Sequence, residues 1–523
     1  MARLDMSKPS SSSRQELWQR VVATLIGAVT LSFLAPPINV HWLHWVAYLP
    51  MFWALRADTP RQNRWLALLY GTVGIGTIFR WIAETIVIFS PAIPSVGAYG
   101  VLLLFSIVFG LPYVVLWISV HPMRQRFGVW WILLLPALQV VLEWICTYVT
   151  LFPFHHGVSQ YRFPYTWQLA SVTGIWGVSY LVFVVNTAFA EALYRVREGR
   201  AFPRPIVLGA IAGLCAVILF GAWRYERVEA QLREAPVLKV AQLQSDKGMQ
   251  YRMSRPRREE FQSWLEQTRA VPAGTDLAVW AEGACPYDLA PEEGPRAKAR
   301  EILAEVAREQ ELELVVGGGS AVRREDPVTG KTDVVIYNSV FHFRDDGSVS
   351  GRYDKMVPLP FGEYLPFGDY VPDLRRSLGI GDFERGEVPV VFEGDDARFA
   401  SPICYEAILT RVCRRFDDVD LFVTITNDAW FGDTAAPHQH AMLAAVRAIE
   451  LGVPVYRTAY TGVSFVVEPH GAIHHETEPF VEVSRVVEVR NRRIHTIYSQ
   501  LGDWFVLLCL LALGGAWWRT RAR

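Results

Sequence analysis

The chain has 523 residues, 51% of them hydrophobic, and a formal net charge of -1. That length holds more than one domain, and the balanced charge gives no electrostatic basis for nucleic-acid binding. The positive mean hydropathy is unevenly spread: long apolar runs crowd residues 1–225 and the extreme C-terminus, while 226–500 has ordinary globular composition.

A bilayer core takes about 20 apolar residues per helix, and by that measure about eight spans are expected. They fall near 18–35, 40–55, 65–88, 97–120, 129–150, 169–193, 205–223 and 503–518, the first two forming a shallow hairpin. The first lacks a small-residue cleavage site, so it is expected to be retained rather than removed as a signal peptide. Basic loops alternate with nearly neutral ones. Arg3, Lys8 and Arg14 precede the first span; Arg56, Arg61 and Arg64, then Arg124 and Arg126, then Arg195, Arg197, Arg200 and Arg204 mark every second loop; Arg519, Arg521 and Arg523 mark the tail. The positive-inside rule then puts both termini in the cytoplasm and residues 226–500 on the extracytoplasmic side. Arg80, Glu84 and Glu143 lie inside apolar spans. Charges there are costly, so each is a candidate for a functional role, with Arg80 and Glu84 also spaced to pair with each other.

The expected domains are a cytoplasmic segment (1–17), a membrane domain of about seven helices (18–225), an extracytoplasmic catalytic domain (226–500), and a last transmembrane helix with its tail (501–523). The catalytic block alternates β-rich runs with amphipathic helices: strands at 237–243, 277–280 and 312–317, a hairpin of 334–344 and 349–354 around Asp346-Gly347, and strands at 399–404, 421–426, 455–458 and 463–467. Helices are expected at 256–270, 295–310 and 435–451. Such alternation implies an α/β layered domain.

Three residues in this block carry chemistry: Glu282, Lys355 and Cys404. A neutral-pH thiol nucleophile needs help, and a nearby carboxylate can take its proton and later return it. An ammonium and a backbone N–H, such as that of Tyr405, can stabilise the oxyanion of the tetrahedral intermediate. Of the six cysteines, Cys146, Cys215 and Cys509 lie in apolar spans and are expected to be packing residues. Cys285 and Cys413 share the block with Cys404; a disulfide between them is possible, and Cys285 is expected to be a pocket-wall residue. No Cys/His spacing suits zinc, so no metal and no cofactor is expected. His438 and His440, two apart, are expected to make helix-start or core hydrogen bonds. His155 and His156 are expected at the membrane interface. Trp280 and Trp430 are expected in the core or pocket wall.

The words around the three residues resemble the carbon–nitrogen hydrolase (nitrilase) superfamily: Trp280-Ala281-Glu282, Tyr353-Asp354-Lys355, Phe361-Gly362-Glu363-Tyr364-Leu365-Pro366, Ile403-Cys404-Tyr405-Glu406 and Asn427-Asp428-Ala429-Trp430-Phe431-Gly432. With the spans, with Pro437-His438-Gln439-His440 and with Arg447-Ala448-Ile449-Glu450-Leu451-Gly452, nearly all of 18–518 resembles the bacterial apolipoprotein N-acyltransferase family. The resemblance implies a multi-pass α-helical membrane domain joined to a nitrilase-like αββα sandwich in the cytoplasmic (inner) membrane. It implies acyl transfer from a phospholipid, usually phosphatidylethanolamine, to the N-terminal amine of a diacylglyceryl-cysteine lipoprotein through a Cys404 thioester. Glu282 is then the base and acid and Lys355 the oxyanion support, with Glu363, Tyr405 and Glu406 behind them. The aromatic segment after Lys355 is an expected lipid contact through Met356, Phe361, Tyr364 and Phe367, with Trp280 and Trp430 as further substrate contacts. Two stretches depart from the family pattern. Phe154, His155 and His156 stand where a Trp and a Leu-Gly-Tyr are common, and Tyr460-Thr461 where an Asn often stands. The rival reading is a membrane-tethered amidase or nitrilase, with water in place of the amine.

Overall fold

The computed structural model describes residues 11–89, 93–149, 151–254, 256–325, 332–365 and 381–521. Its first part is helical: α1 (Ser11–Leu34), α2 (Pro60–Ile78), α3 (Trp81–Phe89), α4 (Ser95–Phe127), α5 (Trp131–Val149), α6 (Ile175–Arg197) and α7 (Arg204–Leu232). α4 shows why these helices suit lipid. It exposes Leu103, Leu104, Leu111 and Val115 while burying Tyr113, Leu116, Trp117 and Val120, so it is apolar on all sides. It crosses α2 at a glycine pair, where a Cβ on Gly71 would lie 2.4 Å from the Gly110 carbonyl oxygen. Small residues at such a crossing let two backbones touch.

Among the described residues, four stretches are long and apolar enough to cross a membrane: Arg14–Leu34, Ser95–Val149, Ile175–Arg197 and Arg204–Leu232. The pair α2 and α3, bent by 48°, brings the number to five. The expected spans 97–120 and 129–150 fall within one 55-residue stretch as α4 and α5, separated where Gly128 takes φ +55°. The expected span 40–55 is instead a 3-10 turn (His41–Trp45) and a six-residue helix (Leu49–Ala54). Buried polar groups explain the break: His44 and Asn39 bond to Ser159, and Asn186 bonds to His44 and Tyr48. His155 and His156, expected at the membrane interface, are buried among the helices. Arg80 and Glu84 pair at 3.3 Å.

The second part holds two six-stranded sheets. The first has the order β12-β1-β2-β3-β4-β5, from Val483–Arg490 (β12), Val237–Gln244 (β1), Leu277–Asp288 (β2), Glu313–Glu325 (β3), Thr332–Phe343 (β4) and Val349–Asp354 (β5). The second runs β11-β10-β9-β8-β7-β6, from Ile473–His474 (β11), Phe465–Val467 (β10), Val455–Ala459 (β9), Leu421–Thr426 (β8), Arg398–Ala400 (β7) and Phe392–Glu393 (β6). β1, β2 and β3 are parallel to one another, as are β7, β8 and β9.

Strand alternation builds the layers. Val240, Val279 and Val315 point inward onto Val423, Ile425 and Val455 of the second sheet. Ala278, Trp280, Leu314 and Val316 point outward onto helices α8 (Arg257–Arg269) and α9 (Lys298–Gln310), through Phe261, Trp264, Leu303 and Val306. Helix α10 (Ala436–Leu451) covers the other face of the second sheet, which completes an αββα sandwich. The chain then returns to the membrane helices as α11 (Trp504–Arg521), packed on α5. The strand expected to run through Cys404 ends at Ala400. Pro402 has no N–H to give a ladder, and Cys404 itself takes φ +51° at the start of a 3-10 turn, Cys404–Ile408.

Candidate active site

Each of the three candidate residues comes from a different strand or strand end, Glu282 on β2, Lys355 after β5 and Cys404 after β7, and all three are buried: Lys355 is 1% exposed, Glu282 and Cys404 each 7%. Period-2 alternation would put Glu282 on the outer face with Trp280. The β2–β3 register shifts after Trp280, and Glu282 turns to the site while Trp280 stays in the outer layer, bonded to Thr268 at 2.8 Å. Trp280 is therefore core, not a substrate contact. Close approach at this point requires a glycine on the neighbouring strand, since a Cβ on Gly317 would lie 2.4 Å from the Ala281 carbonyl oxygen.

Glu282 is held on both oxygens. Oε1 accepts from Asn338 Nδ2 (2.7 Å) and Lys355 Nζ (3.1 Å), and Oε2 accepts from the Asn427 N–H (2.8 Å). Lys355 follows β5 and lies between two carboxylates, with Glu363 Oε2 at 2.6 Å. Asn338 also donates to Glu363 Oε1 at 2.7 Å. Burial alone would lower the Lys355 pKa, but the carboxylates of Glu282 and Glu363 outweigh it and hold the ammonium well above its usual range. Burial, with the Glu282 charge added, pushes the Cys404 thiol up despite Lys355. The site thus pairs a charged lysine with a thiol held toward its neutral form.

Glu406 touches neither the lysine nor the thiol. Its carboxylate accepts from the N–H groups of Met356 (2.7 Å), Val357 (2.9 Å) and Ile403 (2.9 Å), and from the Tyr353 hydroxyl (2.9 Å). It fastens the backbone after Lys355 to the backbone before Cys404. Burial pushes its pKa up to about 7.

Three residues beyond the expected set form a buried cluster beside the Cys404 turn. The His440 ring donates from Nε2 to the Cys404 carbonyl oxygen (3.2 Å) and faces Asp428 Oδ1 from Nδ1 (2.8 Å), and Arg457 Nη2 donates to Asp428 Oδ2 (2.7 Å). The ligand atoms of Cys404, Asp428 and His440 lie within 4.8 Å of one another. Arg457 already meets that cluster with its own positive charge, so its charges balance internally. The Asn427-Asp428 and Gln439-His440 motifs were the available sequence signal; no spacing rule joins them to Arg457.

Tyr405 packs on Phe152 of the helical part (5.9 Å between rings), which meets Trp81 (5.2 Å) and Phe431 (6.0 Å). Met356 is buried in the core, while Phe361 and Trp430 are exposed; Tyr364 lies under the Arg385 guanidinium. Phe367 lies outside the described residues. Cys285 and Cys413 are free thiols in separate core clusters. A small cavity beside His440 is lined by Phe79, Trp81, Phe152, Phe431 and Gln439. A second cavity shares Phe79 and Phe152 with it and runs down among the helices to Glu143 and His156.

The family description for a carbon-nitrogen hydrolase matches residues 239–493, and that for the apolipoprotein N-acyltransferase N-terminal domain matches 27–188. The apolipoprotein N-acyltransferase of Geobacter metallireducens is 30% identical, aligned over 94% of this chain and 93% of its own. That of Bradyrhizobium diazoefficiens is 28% identical over 93% and 92%. Among solved structures, an amidase from Nesterenkonia sp. covers 50% of this chain and 92% of its own at 17% identity and a TM-score of 0.35, a likeness too low to bear on activity. Aligned nearly end to end with a relative at 30% identity, and matched in both its helical and its β-rich parts, the chain belongs to the apolipoprotein N-acyltransferase family.

Proposed function

We propose that this protein acylates the N-terminal amine of diacylglyceryl-cysteine lipoproteins, with a membrane phospholipid as donor and Cys404 as the relay. The observation that carries this reading is the Glu282–Lys355–Glu363 chain beside Cys404, whose carbonyl oxygen bonds to His440, a wall of a cavity that Phe79, Trp81 and Phe152 of the helical part also line. A soluble amide would need no such connection to lipid.

Glu282 takes the Cys404 proton as the sulfur attacks the ester carbonyl. The oxyanion forms against the Lys355 ammonium and the Tyr405 N–H, each donor contributing a few kcal/mol. The C–O bond breaks, Glu282 returns the proton to the departing lysophospholipid oxygen, and an acyl-thioester remains. The lipoprotein amine then attacks the thioester and gives its proton to Glu282. The C–S bond breaks, the amide leaves, and the thiol is restored. The kinetics are ping-pong. The catalytic domain faces the extracytoplasmic side of the cytoplasmic membrane, an orientation supported by the alternation of basic and neutral loops. Phosphatidylethanolamine is the proposed donor.

The test uses the purified full chain in detergent with phosphatidylethanolamine carrying a labelled acyl chain and no acceptor. A hydroxylamine-sensitive label is expected on the wild type and none on Cys404→Ala. The label should chase onto a diacylglyceryl-cysteine peptide. No label, with ammonia released from small amides, would move the chain to the amidase reading.

A further inference from the structure

Glu143 on α5 is 4% exposed, and its Oε1 is occupied: it accepts from the His156 N–H (2.9 Å) and Gln139 Nε2 (3.5 Å). Oε2 has no hydrogen-bond partner; the Ser179 hydroxyl, which accepts from the Gly157 N–H (2.8 Å), also lies close enough to act on the carboxylate. No lysine or arginine pairs with Glu143 among the described residues. The nearest cationic candidate, His156 Nε2 at 3.8 Å, bonds to the Tyr113 hydroxyl at 3.1 Å, and its Nδ1 is taken by Tyr48. A carboxylate buried at membrane depth with no cation of its own is costly, and such groups mark substrate paths.

Glu143 also lines a small cavity, about 40 Å³, whose other walls include Phe79, Phe105, Phe152, Phe154 and Tyr113. An acyl tail gains nothing from a carboxylate. An ammonium gains twice, from the charge and from the ring faces. The cavity shares Phe79 and Phe152 as walls with the one beside His440, so the two are neighbours, and His440 bonds to the Cys404 carbonyl oxygen.

We propose that Glu143 and its aromatic wall form a subsite for a primary ammonium group. Two substrates of the acyl transfer carry one: the ethanolamine head of the donor and the N-terminal amine of the acceptor. The inference rests on the proposed acyl transfer. It adds a role for the stretch where Phe154 and His156 depart from the family pattern, since both line this cavity.

The test compares phosphatidylethanolamine with its N-acetylated form, acyl chains identical, on the wild type and Glu143→Gln. The readouts are thioester labelling and then chase onto a diacylglyceryl-cysteine peptide. If the subsite holds the donor head, the wild type labels from phosphatidylethanolamine about tenfold faster than from the neutral lipid, and the variant loses that preference by slowing on phosphatidylethanolamine alone. If it holds the acceptor, labelling is the same for both lipids and both proteins, and the variant's chase slows about tenfold through a raised peptide KM. Labelling and chase that ignore both head charge and Glu143 overturn the subsite alone; a wild type that takes no label from any donor overturns the thioester reading and the subsite with it. Should Glu143→Gln not fold, Phe105→Leu removes one aromatic wall and no charge and is read by the same ratios, and ratios equal to wild type overturn the proposal.

Discussion

Cys404, the proposed nucleophile, is held toward its neutral thiol form. Burial and Glu282 both push its pKa up, and Lys355 only partly opposes them. Two consequences separate base catalysis from a pre-formed thiolate. Alkylation of Cys404 by iodoacetamide should be slow at neutral pH and climb through the alkaline range. Glu282→Gln removes a negative charge beside the sulfur, so its alkylation curve should move to lower pH. Its thioester formation should fall by about 10²- to 10⁴-fold, because the proton acceptor is gone. An alkylation curve that moved to higher pH, or did not move, would show that Glu282 is not close enough to act. Asp428 supplies a separate pH effect. Burial would raise its pKa, but Arg457 and His440 outweigh burial and lower it. A carboxylate with a depressed folded-state value stabilises the fold above its unfolded value near 3.9 and loses that contribution as pH falls through the folded one. In Tm-against-pH scans, Asp428→Asn should therefore lose stability at pH 6 and show a shallower fall than wild type below pH 4.

At the scale of elements, the glycine crossing of α2 and α4 leaves no room for a side chain. Gly71→Ala puts a Cβ against the Gly110 carbonyl and should cost about 1–3 kcal/mol, as overpacking of a tight contact does. Thermal melting in detergent reads this directly, and an unchanged Tm would mean the helices separate there without penalty. Neither this contact nor the 48° bend between α2 and α3 follows from hydropathy, which registers one apolar run over 65–88. Most strands were legible because Val, Ile and Leu alternate or cluster between turn residues, as in Leu421–Thr426. β12 was not. It is an edge strand in which Ser484, Arg485 and Glu488 are exposed and only Val487 and Val489 are buried. Glu282, Lys355 and Cys404 were legible as a candidate set from the short words around them; in the structure Lys355 pairs with Glu282, and both are near enough to act on the Cys404 thiol. His440, Asp428 and Arg457 were not legible as a unit, because nothing local requires a helix residue to reach the carbonyl of a left-handed Cys404. The aromatic contact between Tyr405 and Phe152 was hidden for the same reason: its partners lie on opposite sides of the α7 crossing into the sandwich.

For the whole molecule, the question is how a pocket built on strands is held against helices that sit in lipid. One side chain of the sandwich does much of this. Gln439, in the first turns of α10, donates from Nε2 to the Ile78 carbonyl (3.1 Å), the last of α2, and accepts from the Trp81 indole N–H (3.0 Å), the first of α3. It thus satisfies a carbonyl that the bend in the helix leaves open and the indole N–H beside it, one residue away from His440 and beside the cavity that Trp81, Phe152 and Phe431 line. Gln439→Leu keeps the volume and removes both bonds, leaving a buried carbonyl and a buried indole N–H without partners at about 1–3 kcal/mol each. The sandwich has its own core, so the damage should fall on the register between sandwich and helices. Thioester formation from a short water-soluble ester should fall less than that from a long-chain phospholipid, and the ratio of the two rates measures it. Equal loss for both esters would mean that Gln439 supports the Cys404 turn alone, and that the helices and the sandwich find their register through other contacts, such as the Arg490–Glu229 pair at the base of α7.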